Sequence, residues 1–68
     1  MSMFEKVTEI VQKAQTCKVG VFKIDGKIRS LHYPSKQFES MNRDYGRYLV
    51  GVYDKTATVK MIMEDIEA

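Results

Sequence analysis

Sixty-eight residues, 44% of them hydrophobic and 29% charged, predict one globular domain with a single small core, because a chain this short buries only about 60% of its unfolded surface. The lone Cys17 excludes an intrachain disulfide and a multi-cysteine zinc site, and no stretch nears the roughly 20 apolar residues that span a bilayer. The formal charge of +2 hides a division: Lys18 through Lys60 holds nine Lys and Arg against four acids, whereas the two ends together hold two against five.

The segment "MFEKVTEIVQKAQ" puts Met3, Val7, Ile10 and Ala14 on one stripe, widened by Phe4 and Val11, and predicts a helix over about 2–15. Ser2 three residues before Glu5 is a capping-box start, and Glu9 with Lys13 makes an i, i+4 pair on the wet face. Glu5 and Glu9 also interrupt any signal-peptide pattern, so the expected compartment is the cytoplasm. Next, "CKVGVFKIDGKIRSLHY" reads as strands over about 17–24 and 27–33 joined by Asp25-Gly26, the residue pair favoured in a type I′ turn. A two-residue loop sets Ile24 opposite Lys27, Phe22 opposite Arg29, Gly20 opposite Leu31 and Val19 opposite His32. One face then carries Val19, Val21, Ile28 and His32, the other Phe22, Ile24, Leu31 and Tyr33. Apolar residues on both faces predict a covered sheet, with a core on one side and a helix or a neighbouring subunit on the other.

Pro34 ends the second strand, since it donates no ladder hydrogen bond. The polar connection "SKQFESMNRDYG" is anchored by Phe38, Met41 and Tyr45, and its state as loop, strand or helical turn is open at this level. "RYLVGVYD" over 47–54 and "TVKMIM" over 58–63 read as two further strands, joined by a turn around 55–57, with Ile66 the last packed residue.

Helix, hairpin, hairpin predicts a mainly β fold with an N-terminal α-helix, a small SH3-like or Sm-like barrel. The blocks "VGVFKIDGKIRSL", with Lys23, Asp25, Gly26 and Arg29, and "LVGVYDKTATVKMIMEDI", with Tyr53 and Asp54, together resemble the phage-encoded WYL-type Sm/SH3-like barrel small proteins. Val59 and Lys60 stand where that family carries a Trp-Arg pair. The resemblance implies a barrel fold and a phage context, hence the host cytoplasm, more than it implies an activity.

Cys17 and His32 fall on one hairpin face as diagonal neighbours, with Cβ atoms about 7 Å apart. A nucleophilic dyad asks for closer contact, an orienting third group and an oxyanion hole, so a half-buried thiol beside a strand histidine is the expectation. Asp25, Asp44 and Asp54 sit at turns, where carboxylates cap backbone. The four glycines lack phosphate-loop spacing. No catalytic set, metal site or cofactor is therefore expected. The cations Lys23, Lys27 and Arg29 of the hairpin, with Arg43, Tyr45, Arg47 and Tyr48 of "NRDYGRY", are the candidate contact residues. They fit a non-enzymatic phage accessory module that docks on or inhibits a host protein. The alternative is a single-stranded RNA- or DNA-binding protein, whose cations hold phosphates while tyrosines stack bases. The apolar helix stripe and the two apolar hairpin faces exceed what a tiny barrel hides, which predicts a homo-oligomer.

Overall fold

The computed structural model describes residues 2–68, which form helix α1 (Met3–Ala14), strands β1 (Val19–Ile24) and β2 (Lys27–His32), helix α2 (Lys36–Tyr45), a 3₁₀ turn over Gly46–Tyr48, strand β3 (Leu49–Tyr53) and helix α3 (Val59–Glu67). The fold is α/β: helices of 12, 10 and 9 residues surround strands of 6, 6 and 5. It is neither mainly β nor a barrel, because the strands make an open antiparallel sheet in the order β2-β1-β3.

Each helix begins on a side-chain cap that occupies one of the orphan N–H groups of its first turn. The Ser2 hydroxyl accepts from the Glu5 N–H at 3.2 Å, that of Ser35 from the Phe38 N–H at 3.0 Å, and that of Thr58 from the Met61 N–H at 3.1 Å. The last of these overturns the expected strand over 58–63. Val59, Ile62 and Ile66 recur at helical spacing, and burying Ile62 and Ile66 against the sheet outweighs the modest β preference of a Val- and Ile-containing stretch. The connection after Pro34 is likewise a helix, with Phe38 buried on its inner face. The strand expected over 47–54 shortens to Leu49–Tyr53, since Gly46–Tyr48 coil into the 3₁₀ turn.

The hairpin holds the register set by its turn: Ile24 pairs with Lys27, Phe22 with Arg29, Gly20 with Leu31 and Val19 with His32. Asp25 at φ 52° and Gly26 at φ 76° supply the two left-handed residues that a type I′ turn requires. β3 pairs with the far side of β1, Val19 opposite Tyr53 and Val21 opposite Gly51, and a bulge at Val50 shifts the ladder so that Leu49 meets Phe22.

Helices lie on both faces. Val7, Ile10 and Ala14 of α1 and Ile62 and Ile66 of α3 pack on Val19, Val21, Ile28 and Tyr53 to form the main core. On the opposite face Phe22 and Phe38 are buried with ring centroids 5.5 Å apart, and the Tyr33 ring meets Phe38 edge-on at 4.8 Å. Gly20 permits this second contact, since a Cβ there would overlap the Phe38 ring. Val7, Ile10 and Ala14 of the α1 stripe and Val19, Val21 and Ile28 of one hairpin face, on which self-association was expected, are thus covered by the chain's own elements, while Phe4 is exposed and Ile24 and Leu31 of the other face line grooves. Among the described residues no helix is long and apolar enough to cross a membrane.

Candidate docking surface

Strand parity divides the hairpin cations. Side chains alternate faces along a strand, so Lys27 and Arg29 emerge on the α2 side with Phe22 and Leu31, whereas Lys23 shares its side with Val21 and Ile28, towards α1 and α3. Helical periodicity divides the α2 residues in the same way. Phe38, Met41 and Tyr45 follow one inward stripe, while Arg43 lies nearly opposite, its side chain 77% exposed and its Nε 3.5 Å from Asp44.

What remains converges. Lys27, Arg29, Met41 and Tyr45 line a groove of about 450 Å³ together with Ile24 and Asp25. It runs into a second groove of about 340 Å³ that shares Arg29, Met41 and Tyr45 and adds Leu31, Gln37 and Asp44. Tyr45 is 44% and Tyr48 41% exposed. Their rings lie 6.3 Å apart at 43°, and the Arg47 guanidinium sits 5.5 Å from the Tyr48 centroid. The 3₁₀ turn produces this cluster by folding residues 46–48 back against the end of α2. Of the seven sequence candidates, Lys27, Arg29 and Tyr45 share one groove and Arg47 and Tyr48 adjoin Tyr45, while Lys23 and Arg43 point elsewhere. The arrangement offers apolar floor from Ile24 and Met41, two cations aimed along one wall, and an aromatic rim, which suits a partner with both apolar and acidic groups.

Sequence reasoning missed Lys6 and Lys13, which come from α1 to the other side of β2. Lys6 lines a cavity with Lys27 and Ile28, and Lys13 lines one with Ser30 and His32. Their i, i+7 spacing, which repeats every two helical turns, was the available signal. The Cys17–His32 geometry also differs from expectation: the Cys17 Sγ lies 3.1 Å from His32 Nδ1. Cys17 sits in the bend between α1 and β1, outside the ladder, so strand spacing does not govern its reach. Its sulfur also lies 3.7 Å from the Lys13 carbonyl oxygen. Among the described residues, no group of three or more His, Cys, Asp or Glu side chains is placed to hold a metal ion.

Two titratable groups elsewhere are perturbed. The Tyr53 hydroxyl donates to Asp65 Oδ2 at 2.7 Å, tying β3 to α3; burial first, then that bond to a carboxylate, raise its pKa well above the ordinary 10.0. Asp54 Oδ1 accepts from both the N–H and the hydroxyl of Thr56, at 2.9 and 2.6 Å, and these bonds to its charged form lower its pKa. Asp54 is thereby a turn cap, as sequence position suggested.

No protein-family model matches the chain, and no curated protein or solved structure matches it either.

Proposed function

We propose that the chain is a non-enzymatic protein-docking module, working without a cofactor, whose contact surface is the groove between the β-hairpin and α2. The observation that carries this reading is the convergence of Lys27, Arg29, Met41 and Tyr45 on one groove of about 450 Å³. Such a mixture of apolar floor, exposed aromatic ring and cationic wall is the chemistry by which protein interfaces gain area and orientation. The cytoplasm suits a chain with one unpaired thiol, and in a phage-encoded chain that is the host's cytoplasm and the partner a host protein. A second copy has less apolar surface to use than the sequence suggests, since Val7, Ile10 and Ala14 of α1 are buried within the chain. Sedimentation over a 100-fold concentration series, roughly spanning weak and tight association, tests for that copy.

The test of docking is capture from lysate by the wild type and by the double variant Lys27→Glu/Arg29→Glu, each with and without nuclease. Protein captured by the wild type after nuclease and lost in the variant is the expected result; equal capture by the variant removes the reading. The exposed Tyr45 and Tyr48 rings beside Arg47 favour a second reading, single-stranded nucleic-acid binding by stacking. It expects a salt-sensitive gel shift and a loss of about 1 to 3 kcal/mol for Tyr45→Ala or Tyr48→Ala.

A further inference from the structure

We infer that the outer edge of β2 takes up an extended acidic peptide segment as a fourth strand of the sheet. This inference rests on the docking-module reading and names the class of its partner. Its first support is the direction of the backbone. The Tyr33 N–H donates to the Lys18 carbonyl at 3.0 Å. With the observed register, the hydrogen-bonded pairs of the hairpin are therefore Gly20–Leu31, Phe22–Arg29 and Ile24–Lys27, because such pairs alternate along an antiparallel ladder. Ile28, Ser30 and His32 then direct their N–H and C=O groups away from β1. The His32 carbonyl accepts from the Ser35 hydroxyl at 2.6 Å. Among the described residues, the other outward groups have no protein partner.

The second support is a contrast of edges. β3 is interrupted by the bulge at Val50, which breaks the regular spacing that an added strand must match. β2 is regular for its six residues. Helices stand back from it on both sides, leaving cavities bounded by Lys6 and Lys13 of α1 on one side and by Met41 and Tyr45 of α2 on the other.

Charge selects the occupant. Lys6, Lys13, Lys27 and Arg29 border this edge, against Asp25 at the turn and an Asp44 that already faces Arg43. A second copy pairing antiparallel through Ile28 and Ser30 would set Arg29 directly against the partner's own Arg29, a like-charge pair that opposes association. An incoming strand with acidic side chains meets cations on both faces of the sheet. A nucleic acid would use the cations but leave the alternating backbone donors and acceptors unread. Strand addition uses both.

The test is amide hydrogen exchange on the full-length ¹⁵N-labelled chain. The probe is a blocked peptide of about six residues alternating Glu and Val, near the usual strand length. Exchange of the Ile28 and Ser30 amides is expected to slow by about tenfold or more at saturation, with Val52 of β3 unchanged. The same peptide N-methylated at every residue, which leaves no N–H on either edge to pair with β2, should give no such slowing. Lys27→Glu/Arg29→Glu should weaken the unmethylated peptide by about tenfold. If the methylated peptide binds as well and only the charge variant fails, strand addition is overturned while the docking module stands. If the acidic peptide leaves Ile28 and Ser30 unprotected at millimolar concentration, the inference is wrong. If an oligothymidylate binds this edge in its place, the protein-docking reading falls as well.

Discussion

The two faces of the sheet are built to different standards. On one, α1 and α3 seal Val19, Val21, Ile28 and Tyr53 under a continuous apolar layer in which Val7, Val21 and Ile62 are fully inaccessible to solvent. On the other, α2 covers the strands through essentially one anchor, Phe38 on Phe22, and the space beside it remains as grooves. The first face supplies the stability of a small domain, and the second is left open enough to receive something. A chain with room for one main core thereby keeps its contact surface away from the residues that hold it folded, so that mutations on the two faces should have separable effects.

The strongest way to break the first face is Ile62→Ala, which empties a fully buried site. It should cost about 3 to 4 kcal/mol, a large share of the roughly 3 to 10 kcal/mol expected for a domain of this size. Urea denaturation reads it, and a loss under about 1 kcal/mol would mean that α3 does not seal the core. Gly20→Ala attacks the second face from the strand side by driving a methyl into the Phe38 ring. A cost of about 2 kcal/mol is expected, with faster amide exchange in α2 but not in α1. The comparison sharpens if Gly20→Ala/Phe38→Leu recovers part of the loss, because two residues in contact are not additive.

Gly26→Val strains a turn that both faces share. Nothing lies within 4 Å of a Cβ at that position, so the cost of about 1 to 2 kcal/mol comes from the positive φ alone. An unchanged melting temperature would mean that the turn is not type I′ in solution. The smallest effect belongs to Tyr53→Phe, about 1 kcal/mol for one hydrogen bond to α3. Its signature is in the pH profile. Because the folded-state pKa of Tyr53 is raised above its ordinary 10.0, its contribution is fully present below that pH and declines above it, as the unfolded chain ionises and the folded chain does not. Denaturation midpoints of the wild type should therefore fall above about pH 10 more steeply than those of Tyr53→Phe; parallel curves would assign the alkaline loss to other groups.

The site was half legible. Lys27 and Arg29 were readable as a pair because strand alternation puts both on one face of the hairpin, whereas Tyr45 joins them only because Lys36–Tyr45 form a helix, which the sequence left open. Lys23 was grouped with them by proximity in sequence, although strand alternation already put it on the other face. The contribution of Lys6 and Lys13 required knowing which element lies alongside β2, a long-range fact. The Cys17–His32 contact was hidden because the bend that delivers Cys17 is set by the helix end, where the Cys17 N–H bonds to the Lys13 carbonyl at 3.2 Å.

Local chemistry was sufficient for α1, the Asp25-Gly26 turn and every cross-strand pair of the hairpin, since a cap, a helical stripe and a two-residue loop act within a few residues of themselves. It was not sufficient for residues 58–63. There a short Val- and Ile-containing run fits strand or helix about equally, and the choice was made by whether Ile62 and Ile66 could reach the face formed by Val19 and Val21. The same long-range burial placed β1 at the centre of the sheet and opened the fold instead of closing it into a barrel. Once α1, α2 and α3 covered both faces, closing the strands on themselves had no apolar surface left to hide.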